Sequence, residues 1–263
     1  MSDAAADMAE RVIVRRVGRV LHLVNNAPQQ RNAFGMDFYD GMIPAIASAS
    51  APDVGAVVIS GAGGFFCAGG DVKRLAVAHK EPFEKRREGV DRLHELIRAI
   101  RDCPRPVIAA VEGGAAGAGA SLAASSDLIV AAPDAYFMLA YVKIGITPDG
   151  GATWSFARAL PRHFATEMAL TGGRVPAARL HDLGMVNRLA PDPVAAALAW
   201  AAELAEGPAE SMAGIKRLIR QAEGAGLDAQ LEAEAVSIAH ALGGAEGIEG
   251  ASAFLEKRPA RFR

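Results

Sequence analysis

Two segments rich in glycine and alanine, each directly after an apolar run, constrain this chain more than any other feature. Residues 65–71 follow the apolar run 56–59, and residues 113–119 follow the apolar run 107–111. A strand that ends in glycine and alanine exposes its backbone N–H groups, because no bulky side chain shields them. Two such segments that face each other can direct two N–H groups at one carbonyl oxygen, which is the geometry of an oxyanion hole. The pattern therefore favours an enzyme.

Composition excludes several other classes of protein. The chain has 263 residues, of which 51% are hydrophobic and 22% charged, so it can bury a large core. Its formal net charge of −2 gives no general attraction to nucleic acid or to anionic membranes. The acidic N-terminal residues differ from a signal peptide, and the two cysteines, Cys67 and Cys103, have no metal-ligand or disulfide-framework spacing. We expect a cytoplasmic protein without a metal, a membrane partner or a nucleic-acid partner.

The spacing of apolar residues predicts strands that alternate with helices. A hairpin around Gly18 is predicted, with strands over 12–16 and 20–24. Further predicted strands cover 56–60, 107–111 and 128–132, and predicted helices cover 34–48, the stretch before Pro104, and 117–125. After residue 193 the chain is predicted to be helical, over 195–206, 210–223 and 227–242. The alternation indicates an α/β architecture with crossover connections.

Four motifs in sequence order resemble the crotonase superfamily, the enoyl-CoA hydratase/isomerase proteins. Residues 66–71 are similar to the family pattern F-x-A-G-x-D, and residues 105–119 to its strand and glycine segment. Residues 144–151 resemble the element I-G-x-x-P-D-x-G, and residues 249–258 resemble the C-terminal signature. The resemblance covers nearly the whole chain beyond the N-terminal residues.

The resemblance implies a domain organisation. A crotonase-like ββα spiral core is expected over residues 11–194, and a C-terminal helical trimerisation region over residues 195–263. Residues 1–10, which are polar and rich in alanine, are expected to be a mobile tail. The family assembles as trimers that often pair, so a homotrimer or a hexamer (a dimer of trimers) is expected.

The resemblance also implies an acyl-CoA thioester substrate. Coenzyme A is then part of the substrate, and no permanently bound cofactor is expected. The N–H groups of Ala68 and Ala118 are expected to bind the thioester oxygen, although the family more often has glycine at the second position. Besides Ala68, the positions expected to bind CoA are Arg31, Ala33, Gly69, Gly70, Asp71, Val72, Phe254 and Lys257. For Arg31 and Lys257, an ordinary solvated surface charge is an equal alternative.

The acid/base residues depart from the hydratase pattern. Ser121 and Tyr141 occupy the positions of the two hydratase glutamates, and neither is a base at neutral pH without help. Related isomerases use an aspartate at the position of Asp149, and one carboxylate is enough for a 1,3-proton shift. Alternatively, Asp149 caps a helix that begins near Gly151, and both roles are compatible.

His94 is a second candidate base. The similar 4-chlorobenzoyl-CoA dehalogenases have a histidine at a matching distance before the second glycine segment, whereas an ordinary half-buried helix histidine is the simpler interpretation. Cys67 is expected to be a packing residue.

The sequence therefore predicts an enoyl-CoA isomerase, closest in pattern to the isomerases of phenylacetate breakdown. Three alternatives remain open. These are a hydratase that works with Ser121 and Tyr141, a dehalogenase-like or thioester-hydrolysing relative that uses Asp149 and His94, and a catalytically weak acyl-CoA-binding protein.

Overall fold

The computed structural model describes residues 10–262, so the predicted tail over residues 1–10 lies outside the described residues apart from Glu10. The strands are β1 Val12–Val17, β2 Val20–Asn25, β3 Ala56–Gly61, β4 Val107–Val111, β5 Gly114–Ala116, β6 Leu128–Ala131, β7 Tyr136–Met138, β8 Val175–Pro176 and β9 Arg188–Leu189. The helices are α1 Met36–Ala47, α2 Val72–Val77, α3 Phe83–Asp102, α4 Ala118–Ser125, α5 Ala152–Ala159, α6 Arg162–Thr171, α7 Ala177–Asp182, α8 Pro193–Ala205, α9 Ala209–Ala222, α10 Leu227–Gly243 and α11 Ala245–Leu255.

The strands form two sheets, and the chain passes back and forth between them. A six-stranded sheet has the order β1-β2-β3-β4-β6-β9, and a three-stranded sheet has the order β5-β7-β8. β1 and β2 form the predicted hairpin around Gly18, and the other neighbours in the large sheet are parallel. The chain passes from the large sheet to the small sheet and then into a helix, as in β4-β5-α4 and β6-β7-α5. This repeated ββα winding confirms the predicted crotonase-like spiral.

The large sheet is covered on both faces. One face packs against α1 and α3 through buried side chains such as Phe38, Met42 and Leu96. The other face packs against the alanine stripe of α8, including Ala197 and Ala201. The predicted boundary at residue 195 stays a prediction, but α8 itself belongs to the packing of the sheet. None of the helices within residues 10–262 is long and apolar enough to span a membrane.

In the second glycine-rich segment, residues 114–116 form a strand where the sequence predicts none, and the helix predicted over 117–125 follows it as α4. Gly114–Ala116 forms β5, which pairs with β7 and makes a bridge from Ala115 to Cys67. A Cβ on Gly114 would lie 2.6 Å from a ring carbon of Tyr136, and one on Gly119 would lie 2.4 Å from the carbonyl oxygen of Cys67. Small residues are therefore needed where the two segments and the Tyr136 ring come close together. The same residues give no β-branched pattern, so the sequence does not predict the strand.

Asn32 anchors the loop after β2 to the backbone before the first glycine-rich segment. Its side chain accepts a hydrogen bond from the N–H of Ala27 (2.8 Å) and donates to the carbonyl oxygens of Ala62 (2.9 Å) and Phe65. The residue is fully buried and has a φ of +57°, a left-handed conformation that asparagine tolerates better than most residues. One amide side chain thus satisfies three backbone groups from two loops.

We predict that Asn32→Ala lowers the free energy of unfolding by about 2 kcal/mol or more, because it leaves the buried N–H of Ala27 and two half-buried carbonyl oxygens unpaired, and a fully buried unpaired group costs about 1–3 kcal/mol. Denaturant unfolding measures the change. Gln30→Ala, an exposed substitution in the same loop, is the control and is expected to change stability by less than about 0.5 kcal/mol. Equal stability of the two variants would contradict the anchoring role.

Candidate active site

A cavity of about 240 Å³ opens between the two glycine-rich segments and the helices α2 and α3. Several residues of the predicted site contribute to its wall. They are Ala68, Gly70, Asp71, Val72, Ala118, Tyr141 and Asp149. Apolar side chains, among them Phe34, Leu75, Val90 and Leu93, make up much of the rest. The cavity combines an apolar surface with a few charged side chains, among them the carboxylates of Asp71, Glu81 and Asp149.

The two glycine-rich segments meet at the cavity. The N–H of Cys67 donates to the carbonyl oxygen of Gly114 (3.1 Å), and the N–H of Ala116 donates to that of Cys67 (2.9 Å). A Cβ on Gly69, whose φ is +88°, would lie 2.6 Å from the oxygen of Ala116 and 3.1 Å from the nitrogen of Ala118. Glycine is therefore required where the first segment crosses the start of α4.

The two predicted oxyanion donors differ in their present partners. Ala118 is the first residue of α4, and no backbone hydrogen bond among residues 10–262 has its N–H as donor. The N–H of Ala68 donates to the carbonyl oxygen of Arg31 at 2.9 Å. The predicted pair stays a prediction, and it requires that Ala68 exchange this acceptor for the ligand oxygen.

Asp149 lies in a network with the hydroxyl groups of Ser121 and Tyr141, the residues expected at the positions of the hydratase glutamates. The hydroxyl of Tyr141 donates to Oδ1 of Asp149 at 2.9 Å. Oγ of Ser121 lies 2.9 Å from the Tyr141 hydroxyl and donates to the backbone oxygen of Asp149 at 3.0 Å. Ser121 is fully buried and does not line the cavity, whereas Tyr141 and Asp149 do. The Tyr141 hydroxyl therefore holds the carboxylate, and the Ser121 hydroxyl holds the backbone of the same residue.

The backbone next to Asp149 allows this close packing. Gly150 has a φ of +58°, and a Cβ there would lie 2.9 Å from Cβ of Ser121 and 3.0 Å from a methyl carbon of Leu93. Helix α5 begins after Gly151 without a side-chain cap, so the alternative that the side chain of Asp149 caps this helix is wrong. The carboxylate bonds to Tyr141 instead and faces the cavity.

Burial dominates the electrostatics of the network. It raises the pKa of Asp149, and the hydrogen bond from Tyr141 and the charge of His94 oppose that rise. Burial and the neighbouring carboxylate raise the pKa of Tyr141, so its hydroxyl stays protonated and continues to donate. A carboxylate with a raised pKa in an apolar cavity is suited to accept and return a proton.

His94 and Cys67 do not line the cavity. His94 is half-buried on α3, close enough for its charge to affect Asp149, but it does not line the cavity. Its side chain forms no hydrogen bond with any residue that the structure describes. Burial raises the pKa of Cys67 to about 12, which agrees with a packing residue. The described part of the chain contains no cluster of residues suited to hold a metal ion.

Some of the predicted CoA-binding residues do not contribute to the wall of the cavity. They are Arg31, Ala33, Gly69, Phe254 and Lys257. Phe254 is 84% exposed near the end of α11, and Lys257 follows this helix. Asp71 lines the cavity and also caps α2, where its side chain accepts from the N–H of Lys73 at 2.9 Å. The CoA-binding roles stay predictions.

Among the residues of the cavity wall that the predicted site does not include are a tyrosine and an arginine. Tyr39 on α1 is buried, and its hydroxyl has no hydrogen-bond partner among the described residues. Arg74 on α2 also lines the cavity. The position of Tyr39 beside the core residue Phe38 in α1 could have indicated that Tyr39 is buried. For Arg74, α2 is too short to show an apolar repeat from which the direction of its side chain could be predicted.

Comparisons with known proteins agree with this geometry. Residues 18–263 match the family described as enoyl-CoA hydratase/isomerase. The chain is 35% identical over 247 residues to 1,2-epoxyphenylacetyl-CoA isomerase of Escherichia coli (strain K12), covering 92% of this chain and 94% of the relative. It is 32% identical over 274 residues to the enoyl-CoA hydratase EchA19 of Mycobacterium tuberculosis, covering 99% of both.

Solved structures give the same result for the fold. The crystal structure of an enoyl-CoA hydratase from Polaromonas sp. JS666 superposes with a TM-score of 0.94 at 42% identity, covering 96% of this chain and 99% of that chain. The matched family, the similar relatives and the shared fold together show that this chain belongs to the enoyl-CoA hydratase/isomerase family of the crotonase superfamily.

Proposed function

We propose that the protein is an enoyl-CoA isomerase in which Asp149 transfers a proton between two carbons of the acyl group. One observation carries this proposal: the carboxylate of Asp149 lines the cavity and accepts a hydrogen bond from Tyr141, whose hydroxyl in turn contacts that of Ser121, the two residues expected at the positions of the hydratase glutamates. A proton shift needs one group that accepts a proton and returns it, whereas hydration by the family mechanism needs two carboxylates. The similarity to an isomerase supports the same choice.

In the proposed reaction, the carboxylate of Asp149 removes a proton from C2 of a 3-enoyl-CoA. The electrons of that C–H bond form a conjugated dienolate, with negative charge on the thioester oxygen. The N–H of Ala118, together with that of Ala68 once it has left the carbonyl of Arg31, stabilises this charge. The protonated Asp149 then delivers its proton to C4, which gives the 2-enoyl-CoA. No resident cofactor is needed, and CoA enters as part of the substrate.

The structure supports the dehalogenase-like, binding-only and hydratase alternatives less well than it supports an isomerase. A nucleophilic mechanism in which His94 contacts the substrate is weakened because His94 does not line the cavity. A protein that only binds acyl-CoA has no need for a largely buried carboxylate held by the hydroxyl of Tyr141. Hydration through Ser121 is weakened because this side chain is fully buried behind Tyr141.

We also propose the trimeric or hexameric assembly and the cytoplasmic location expected from the sequence. Large apolar side chains, including Ile219, Leu231 and Leu242, are exposed on the C-terminal helices, and a second subunit would cover them. Cys67 and Cys103 are both buried and free, which suits a reducing compartment.

We predict that Asp149→Asn lowers the rate of 3-enoyl-CoA isomerisation by about 10²–10⁴-fold, because the amide cannot accept the proton. The amide oxygen can still accept the hydrogen bond of Tyr141, so the fold and the affinity for CoA should survive. Asp134→Asn, an exposed substitution outside the cavity wall, is the matched control and should keep the parent rate. A folded Asp149→Asn variant with the parent rate would remove Asp149 from the mechanism.

We predict that hydration of crotonyl-CoA proceeds well below the rate of an ordinary enzyme, that is, below about 1 s⁻¹. The reason is that Ser121 and Tyr141 offer no carboxylate to activate the water. Loss of absorbance by the conjugated thioester measures the reaction. Turnover within the range of ordinary hydratases would show that the two hydroxyl groups do more than hold Asp149.

We predict that Tyr141→Phe moves the acidic limb of the kcat/KM profile to higher pH. The hydrogen bond from Tyr141 favours the charged form of Asp149 and lowers its pKa, so its loss raises that pKa. The base is then lost at a higher pH as the solution is acidified. Tyr136→Phe, whose ring packs against Phe65 outside the cavity wall, is the control. An unshifted limb in Tyr141→Phe would contradict the proposed coupling.

A further inference from the structure

The wall of the cavity between α1, α2 and α3 contains a cation and a hydroxyl group that the proposed proton transfer does not use. Arg74 belongs to α2 and Tyr39 to α1, and both line the same cavity as Asp149. Arg74 remains exposed, so it lies where the cavity opens to solvent, whereas Tyr39 is buried.

The guanidinium group of Arg74 lies against Gly89 of α3. A Cβ on Gly89 would lie 3.3 Å from Nη2 of Arg74 and 3.8 Å from its Cζ. The φ of Gly89 is not in the left-handed region, so the backbone does not require glycine there. Glycine in the interior of a helix weakens it relative to alanine. A methyl group at this position would narrow the space of the guanidinium group by a few tenths of an ångström.

The hydroxyl of Tyr39 is available to a ligand. It has no hydrogen-bond partner among residues 10–262, although the residue is only 6% exposed and lines the cavity. Burial and the charge of Asp149 raise its pKa while the charge of Arg74 lowers it, which places the hydroxyl within electrostatic reach of both groups. The residue as a whole is buried, but its hydroxyl oxygen is not among the buried unpaired atoms of the described residues, so a ligand or water in the cavity can reach it.

Arg74 forms no salt bridge with the carboxylates near it that the structure describes. Lys85, which also lines the cavity, pairs with Glu88 at 2.7 Å. Arg74 forms no ion pair with any described residue, although Glu81 also contributes to the wall. The wall of the cavity thus carries a cation that no protein carboxylate neutralises at salt-bridge distance.

We propose that Arg74 and the hydroxyl of Tyr39 form a subsite for a carboxylate carried by the acyl group of the substrate. A guanidinium group binds a carboxylate through two parallel N–H···O bonds, and a phenol donates a third. Apolar residues of the same cavity, Leu75, Val90 and Leu93, would contact the methylene groups between the thioester and this carboxylate. This inference rests on the proposed function, and it makes the substrate a thioester of a dicarboxylic acid.

Binding of saturated thioesters tests the subsite without any turnover. Isothermal titration calorimetry with matched pairs (glutaryl-CoA with pentanoyl-CoA, adipoyl-CoA with hexanoyl-CoA) compares ligands that differ in the terminal carboxylate. The wild-type protein is expected to bind at least one dicarboxylic member about 10–100-fold more tightly than its partner, the range for hydrogen bonds to charged groups. Equal affinity within every pair would overturn the proposal.

Variants separate the acyl carboxylate from the phosphates of CoA, which carry the same kind of oxygen. Arg74→Gln is expected to remove the preference within the pair while the affinity for hexanoyl-CoA and for CoA alone stays unchanged. Arg87→Gln, the same substitution at an exposed position outside the cavity wall, should keep the preference. If Arg74→Gln weakens hexanoyl-CoA, adipoyl-CoA and CoA alone equally, the guanidinium binds a phosphate and the proposal is wrong.

Two further variants test the geometry. Tyr39→Phe should reduce the preference, and Gly89→Ala should reduce it because the new methyl group narrows the space of the guanidinium; a preference unchanged in both would overturn the subsite. Isomerisation of 3-hexenoyl-CoA without any preference for the dicarboxylic thioester would refute this inference alone. A preference in binding without isomerisation of either acyl type would refute the isomerase proposal and leave the subsite supported.

Discussion

The site depends on the contact of two backbone segments at a distance that side chains would prevent. Cys67 pairs with β5, and Gly119 and Gly69 come so close to the opposite backbone that a Cβ on either would overlap a carbonyl oxygen. This contact places the first turn of α4 beside the turn at Ala68. The small residues, which weaken a strand or a helix on their own, are tolerated because the sheets and helices around them are packed.

The carboxylate of Asp149 is positioned by a glycine and by hydrogen bonds from hydroxyl groups. A positive-φ glycine brings the loop of Asp149 against Ser121, and the hydroxyl of Tyr141 then binds the carboxylate. Tyr141 donates to the carboxylate, whereas Ser121 donates to the backbone oxygen of Asp149. Neither hydroxyl group carries a charge, so the site avoids the repulsion that further carboxylates beside Asp149 would cause.

Much of the fold and part of the site could be predicted from the sequence. The hairpin at Gly18, the parallel strands and the approach of the two glycine-rich segments follow from local patterns and family motifs. The strand character of 114–116 could not be predicted, because three small residues have no periodicity. Nor could the cavity positions of Tyr39 and Arg74, since these depend on how α1, α2 and α3 pack together. The hydrogen bond from the Ala68 N–H to the carbonyl oxygen of Arg31 could not be predicted either, because the two residues are far apart in the sequence.

That partner, the carbonyl oxygen of Arg31, bears on how the proposed site would distinguish a thioester from an enolate. When a neutral thioester binds, Ala68 exchanges one neutral acceptor for another, so this donor adds little to the affinity for the ground state. When negative charge develops on the same oxygen, the exchange becomes favourable, because a charge-assisted hydrogen bond is about twice as strong as a neutral one. In the proposed site, the internal carbonyl oxygen would thus match a neutral thioester oxygen as an acceptor but lose to an anionic one, and such a difference in binding lowers a barrier.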